Sequence, residues 1–212
     1  MNKKERAAAA VERLEKIYPA AECALRWEGD PWRLLVMGRL SAQCTDARVN
    51  IVCEELFKKY PDVYSMAEAD VHDVENYVRP CGLFRTKAAN IVDSARMIAL
   101  EHGGKVPDSM EDLLRLPGVG RKIANLILGD VYNKPAIVAD THCIRISARL
   151  GLTARGEKDP VKTERELRKL IPPEKSSDFC HRIVQFGRDT CSARSPACGT
   201  CPLADICAAA FA

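Results

Sequence analysis

The run Leu116-Pro117-Gly118-Val119-Gly120-Arg121-Lys122 constrains this chain more than any other stretch. Leu113, Leu114 and Leu116 come at its start, and Ile123, Ala124, Leu126 and Ile127 follow it. Apolar residues at helical spacing on both sides of a Pro-Gly turn predict two short helices sharing one buried face. The hairpin spans about 113–127. Gly118 and Gly120 permit positive φ and close backbone approach. Their N–H groups, with those opening the helix at Arg121, can converge on an anion. A DNA phosphate fits, gripped by backbone donors that read no sequence. The competing reading is a helix turn that merely needs glycine.

The rest of the chain repeats the helical pattern, with no alternating strand. Val11, Leu14, Ile17 and Tyr18 mark one face of a helix over 3–18. Asp30 and Pro31 open a helix from Trp32 to Gln43. Thr45 or Asp46 opens the next, with Val49, Val52, Cys53, Leu56, Phe57 and Tyr60 inward. Asp70 opens a short helix through Val78, ended by Pro80. Gly82-Leu83-Phe84 is a turn. Ala88, Ile91, Val92, Ala95, Ile98 and Ala99 line a long helix stopped by Gly103-Gly104. Ser109 caps Met110 to Leu116, and Arg121 to Tyr132 follows the hairpin. Further helices run over 140–150, with Gly151 past the end, and over 160–170 and 177–188. The fold class is all-α, about ten helices with short connections.

Composition narrows the setting. The chain has 212 residues, 47% hydrophobic and 29% charged, enough for one or two domains with real cores. Its net charge of +3 is too mild to argue for nucleic acid by itself. Residues 1–10 carry no apolar signal core, and no stretch reaches the roughly 18 apolar residues of a membrane span. The expected compartment is the cytoplasm, where the ten cysteines would not form a disulfide framework. Cys23, Cys44, Cys53, Cys81, Cys143 and Cys180 read as small core hydrophobes. Cys191, Cys198, Cys201 and Cys207 differ. Their spacing, C-x6-C-x2-C-x5-C, gathers four thiolates into one metal centre. Zinc ribbons show two close pairs, and this run does not, which favours an iron–sulfur cluster over zinc. Arg194 lies in the first loop, where it could meet phosphate.

Two residues near the hairpin suggest chemistry. Lys122 lies two positions past Gly120. It is either one more phosphate contact or a nucleophile, which requires a neutral amine favoured by desolvation or by a cation such as Arg121. Asp140 follows the apolar run Ala136-Ile137-Val138-Ala139 at a helix start, where aspartate is also a good N-cap. Together, an amine and a carboxylate can cut a glycosidic bond. The amine holds C1′ as a Schiff base, and the carboxylate stabilises a cationic sugar and helps deprotonate the amine.

LPGVGRK, then VADTH, then C-x6-C-x2-C-x5-C resemble the endonuclease III family of DNA glycosylases. LSAQCTD (40–46) and GLFRTKA (82–88) match two more of its stretches, so the resemblance covers nearly the whole chain. It implies two helical domains with a DNA-binding cleft between them. Residues 23–133 would be the helical barrel with the helix-hairpin-helix, and 1–22 plus 134–212 the cluster domain. Lys122 and Asp140 would face each other across the cleft as nucleophile and partner. The cluster would be [4Fe–4S]. The damaged nucleotide would be flipped out of the duplex. Gln43 would fill the vacated space and Leu83 would wedge into the opposite strand. Gly118, Gly120, Arg121 and Arg194 would complete the DNA contacts.

The implied activity is base excision of oxidised pyrimidines with apurinic/apyrimidinic lyase cleavage, by a monomer on nucleoid DNA. The rivals are adenine or thymine mismatch glycosylases, which generally lack the lysine, and a non-catalytic DNA-binding protein. The adenine type carries an added C-terminal domain, not expected here since only five residues follow Cys207. The chain departs from the family at four points, one of them Ser195 and Ala197, which leave the cluster loop with one basic residue and predict a weaker DNA contact there. Arg39 stands where the family is usually apolar, and would either pair with a carboxylate or reach the DNA groove. Ile123 replaces a frequent Thr, and Phe84 a frequent Tyr.

Overall fold

The computed structural model describes residues 1–20 and 22–210. The described residues contain helices and turns and no strand. They form two compact units, one of residues 23–132 and one of residues 1–22 with 133–212. No helix among them is long and apolar enough to cross a membrane.

The unit of residues 23–132 is built around α2 (Pro31–Leu40). Asp30 caps it, accepting from Trp32 N at 2.9 Å, and Pro31 occupies the first helical position. Leu34, Leu35, Val36, Met37 and Leu40 are all at most 1% exposed, so the helix is buried on every side. Around it lie α3 (Asp46–Lys59), α4 (Val63–Ala67), α5 (Val71–Val78), α6 (Phe84–Glu101), α7 (Met110–Arg115) and α8 (Arg121–Asp130). α6 packs on α4 and α5, while α2 packs on α8, α3 and α6. α8 packs over Gly38 of α2: a Cβ there would stand in ordinary contact with Leu126 Cδ2 at 3.4 Å and Ile123 Cγ2 at 3.5 Å. Ile123 is therefore a packing residue, with its side chain turned to α2.

The second unit holds α1 (Lys3–Ile17), α9 (Thr141–Leu150), α10 (Pro160–Leu167), α11 (Ser176–Asp189) and the cysteine run. A capping box opens α1: Asn2 Oδ1 accepts from Glu5 N and Glu5 Oε2 accepts from Asn2 N. Buried Arg182 on α11 donates to Tyr18 O at 3.0 Å and pairs with Glu15 and Asp178, fixing α1 to α11. Gly187 lets α9 pack closely, because a Cβ there would collide with His142 and Ile146.

One element was not anticipated from the sequence, and one expectation shifts. The five-residue α4, capped by Asp62 and Ser65, is too short to show a period. α2 stops at Leu40, three residues before Gln43, because the backbone beyond it turns to serve a buried lysine described next.

Candidate active site and cluster loop

The hairpin joins α7 to α8 through a tight turn. Val119 N donates to Leu116 O at 3.1 Å, with Pro117 second in the turn and Gly118 third at φ +74°. Proline followed by a residue of positive φ is the chemistry of a type II turn. Ser94 on α6 donates to Pro117 O at 3.1 Å and holds the turn down. Only Gly118 uses the left-handed region. Gly120 has φ −99°, caps α8 without a side chain, and has nothing within 4 Å of where a Cβ would stand. Its role is openness, and as the N-cap it offers the first-turn N–H groups of α8 no side-chain acceptor of its own. Helix N–H groups in such a place can receive an anion. Arg121 and Lys122, the first two residues of α8, are both exposed.

Asp140 is the N-cap of α9, accepting from Cys143 N at 2.7 Å. The bland alternative is thus realised, and a cap still leaves the second carboxylate oxygen for other work. The preceding run is buried and pinned to α11: Ala136 N donates to Ser176 Oγ at 2.9 Å and Val138 N to Cys180 Sγ at 3.2 Å. Asp140 therefore ends a fixed, dry segment while its own side chain stays half-buried.

Gln43 and Leu83 share an uncommon backbone state. Gln43 has φ +57° and is exposed; Leu83 has φ +48° and is 59% exposed. The left-handed region costs a residue with a Cβ roughly 1–2 kcal/mol, and such strain concentrates at functional positions. What sustains it is Lys87, which is 0% exposed. Its Nζ donates to Leu40 O at 2.9 Å, Ala42 O at 2.8 Å and Cys81 O at 2.8 Å. One ammonium thereby ties the turn that presents Gln43 to the turn that presents Leu83. Burial lowers the Lys87 pKa, yet three carbonyls around one nitrogen match the three donors of the charged form. Lys87 lay within a quoted motif but was not singled out. The signal was its place on the buried stripe of Ile91, Ser94 and Ile98, where a lysine needs a partner.

The four clustered cysteines line one largely apolar cavity of about 60 Å³, walled by Ile146, Leu150, Phe186 and Leu203. Burial pushes the Cys201 thiol up, and Cys191, Cys207 and Cys198 push it further, as closely grouped sulfurs must. No group of His, Cys, Asp or Glu that could hold a metal ion forms among the described residues. Four cysteines lining one cavity supply the four thiolates that an iron–sulfur core takes. Leu203 N donates to Cys201 Sγ at 3.4 Å and Arg149 Nη1 to Cys191 Sγ at 3.3 Å, the donors that cluster-bound thiolates accept. The residues fit the group. α9 holds the first loop: Arg149 also donates to Ser192 O at 2.6 Å and Ala193 O at 2.7 Å, and Arg145 to Cys191 O at 3.0 Å. Arg194 stands exposed in that loop. Sequence reasoning passed over Arg145 and Arg149, although basic residues four apart on one helix face were visible. Of the six other cysteines, Cys53, Cys81, Cys143 and Cys180 are buried, while Cys23 and Cys44 are only half-buried.

Residues 36–173 match the model of the HhH-GPD superfamily of base excision DNA repair proteins. Residues 191–207 match that of the iron–sulfur binding domain of endonuclease III. The endonuclease III of Synechocystis sp. is 45% identical over 212 residues, covering 100% of this chain and 95% of the relative. A solved non-covalent endonuclease III–DNA complex is 38% identical with a TM-score of 0.93, covering 99% of this chain and 97% of that one. A trapped endonuclease III–DNA covalent intermediate has the same identity and TM-score, covering 99% and 98%.

Proposed function

Because this chain belongs to the endonuclease III family of base excision DNA repair proteins, we propose that Lys122 is its nucleophile and Asp140 the carboxylate that assists it. The protein is a DNA glycosylase and apurinic/apyrimidinic lyase that acts on double-stranded DNA and carries a [4Fe–4S] cluster. Its substrates are oxidised pyrimidines, and it works as a monomer on nucleoid DNA in the cytoplasm.

The observation that carries this reading is Lys122 itself, exposed on the first turn of α8 directly after the uncapped hairpin. A strand whose phosphate rests on those N–H groups lies within a lysine's reach. Neutral Lys122 Nζ bonds to C1′ as the C1′–N bond to the damaged base breaks, and the base leaves with a proton. The sugar ring opens and the adduct becomes an imine. The imine acidifies the C2′ proton; its removal expels the 3′ phosphate by β-elimination, and water then frees the lysine. Asp140 stabilises the cationic sugar in the first stage and accepts a proton from the amine. Gln43 and Leu83 hold the gap that the flipped nucleotide leaves, and Gly118, Gly120, Arg121 and Arg194 contact the backbone. Cys191, Cys198, Cys201 and Cys207 hold the cluster, which supplies a rigid core for the loop that carries Arg194. A covalent intermediate has been trapped for a 38% identical endonuclease III, which supports the same course here.

The test is borohydride trapping on duplexes containing thymine glycol or an abasic site. Wild type should form a protein–DNA adduct, Lys122→Ala none, and Asp140→Asn far less on the glycol duplex. An equal adduct with Lys122→Ala would sink the assignment.

A further inference from the structure

Arg39 breaks the apolar pattern of α2 next to the hairpin, and its surroundings say what it is for. Its Nε is buried and has no hydrogen-bond partner among the described residues. No carboxylate there pairs with it, and burial alone shifts its pKa, downward. The guanidinium lies in the notch left by Gly118: a Cβ on that glycine would collide with Arg39 Nε and with Asn90 Nδ2. The nearby Lys87 adds charge of the same sign, but its ammonium is satisfied by three carbonyls. Arg39 is therefore a half-buried cation, held against the one left-handed glycine of an anion-binding turn and lacking its counter-charge.

A half-buried charge without a partner costs stability. What offsets that cost here is not another protein group. The donors around the notch, namely the Arg39 fork, the Asn90 amide and the open first turn of α8, all suit an anion with several oxygens. We infer that Arg39 is a phosphate ligand of the DNA strand seated on the hairpin. The inference rests on the reading of the hairpin as a DNA grip. Arginine suits this task because its planar fork can give two parallel hydrogen bonds to one phosphate. Between the two expectations for Arg39, the structure provides no carboxylate, which leaves the DNA.

The experiment is binding of a duplex containing a tetrahydrofuran abasic-site analogue, which cannot be opened to the imine, across a salt series. Wild type, Arg39→Leu, Arg39→Gln and Arg39→Lys are compared, each with its thermal midpoint. Losing one phosphate contact should lower the slope of log K against log salt by about 0.9. Affinity at fixed moderate salt should fall roughly tenfold in Arg39→Leu and Arg39→Gln. Arg39→Lys should keep most of the slope. The midpoint of Arg39→Leu should stay level or rise, since an unpaired charge has been removed from a half-buried place. An unchanged slope overturns the inference, whether or not the midpoint falls; a lower midpoint with an unchanged slope assigns Arg39 to packing alone. If wild type itself fails to bind the analogue, the hairpin reading fails instead.

Discussion

At the scale of single residues, the chain places its unusual side chains where backbone and charge are under most demand. Lys87 shows this best. A buried ammonium is costly, and here three carbonyls from two turns surround it. Those turns carry the left-handed Gln43 and Leu83, so one residue sustains two strained ones. Lys87→Met keeps the volume but leaves three carbonyls without a donor. It should lower unfolding stability by about 3–5 kcal/mol, seen in urea titration. It should also slow excision at saturating enzyme more than it weakens binding to undamaged duplex, because the hairpin grip is left in place. Lys87 was hard to single out because its periodicity is that of the core, whereas its chemistry is set by carbonyls 47, 45 and 6 residues away in sequence. Lys122, by contrast, stands out in the sequence itself, because it closely follows the glycines of the hairpin.

At the scale of elements, α9 links two jobs. Its first turn is capped by Asp140; one and two turns on, Arg145 and Arg149 hold the loop from Cys191 to Ala193. The carboxylate and the cluster loop are thus fixed by one rigid helix. Arg149→Ala removes donors to Cys191 Sγ and to two carbonyls. The variant should lose iron to a chelator about tenfold faster, as loss of an outer partner of a metal ligand commonly does, with bleaching of the visible cluster absorbance as the readout. Intact absorbance decay rates would contradict that role. Helix starts were legible at Asp30, Thr45, Asp70, Ser109 and Asp140, each of which accepts from its own first turn, but not at α4, although Asp62 caps it. The end of α2 was not legible either. Nothing local stops a helix at Leu40; Ser41 donates back to Gly38 O at 2.8 Å, and Lys87 draws the next carbonyls aside.

At the scale of the molecule, the two units answer to different forces. Residues 23–132 close around α2, whose Leu34, Leu35, Val36, Met37 and Leu40 are buried. Residues 191–207 hold only short 3-10 turns, with few apolar side chains beyond Leu203 and Ile206, so ligand binding must supply their order. Removing iron from the holoenzyme should therefore abolish amide-exchange protection in 191–207 while leaving the helices of 23–132 protected. It should also weaken duplex binding. Uniform loss of protection in both units would show that the cluster stabilises the whole chain.

The sequence by itself determined the helical class, and it marked the hairpin, Lys122, Asp140 and the four clustered cysteines as candidates, because each is a pattern of neighbours: caps, glycines and thiols at short spacing. Only the tertiary structure decided that Gly118 takes the left-handed turn and Gly120 does not, that Ile123 packs on Gly38, that Lys87 ties the Gln43 and Leu83 turns together, and that Arg39 lies unpaired beside Gly118. These depend on which residues far apart in the chain share one small space. Burial and hydrogen-bond satisfaction are properties of that space, and no local pattern encodes them.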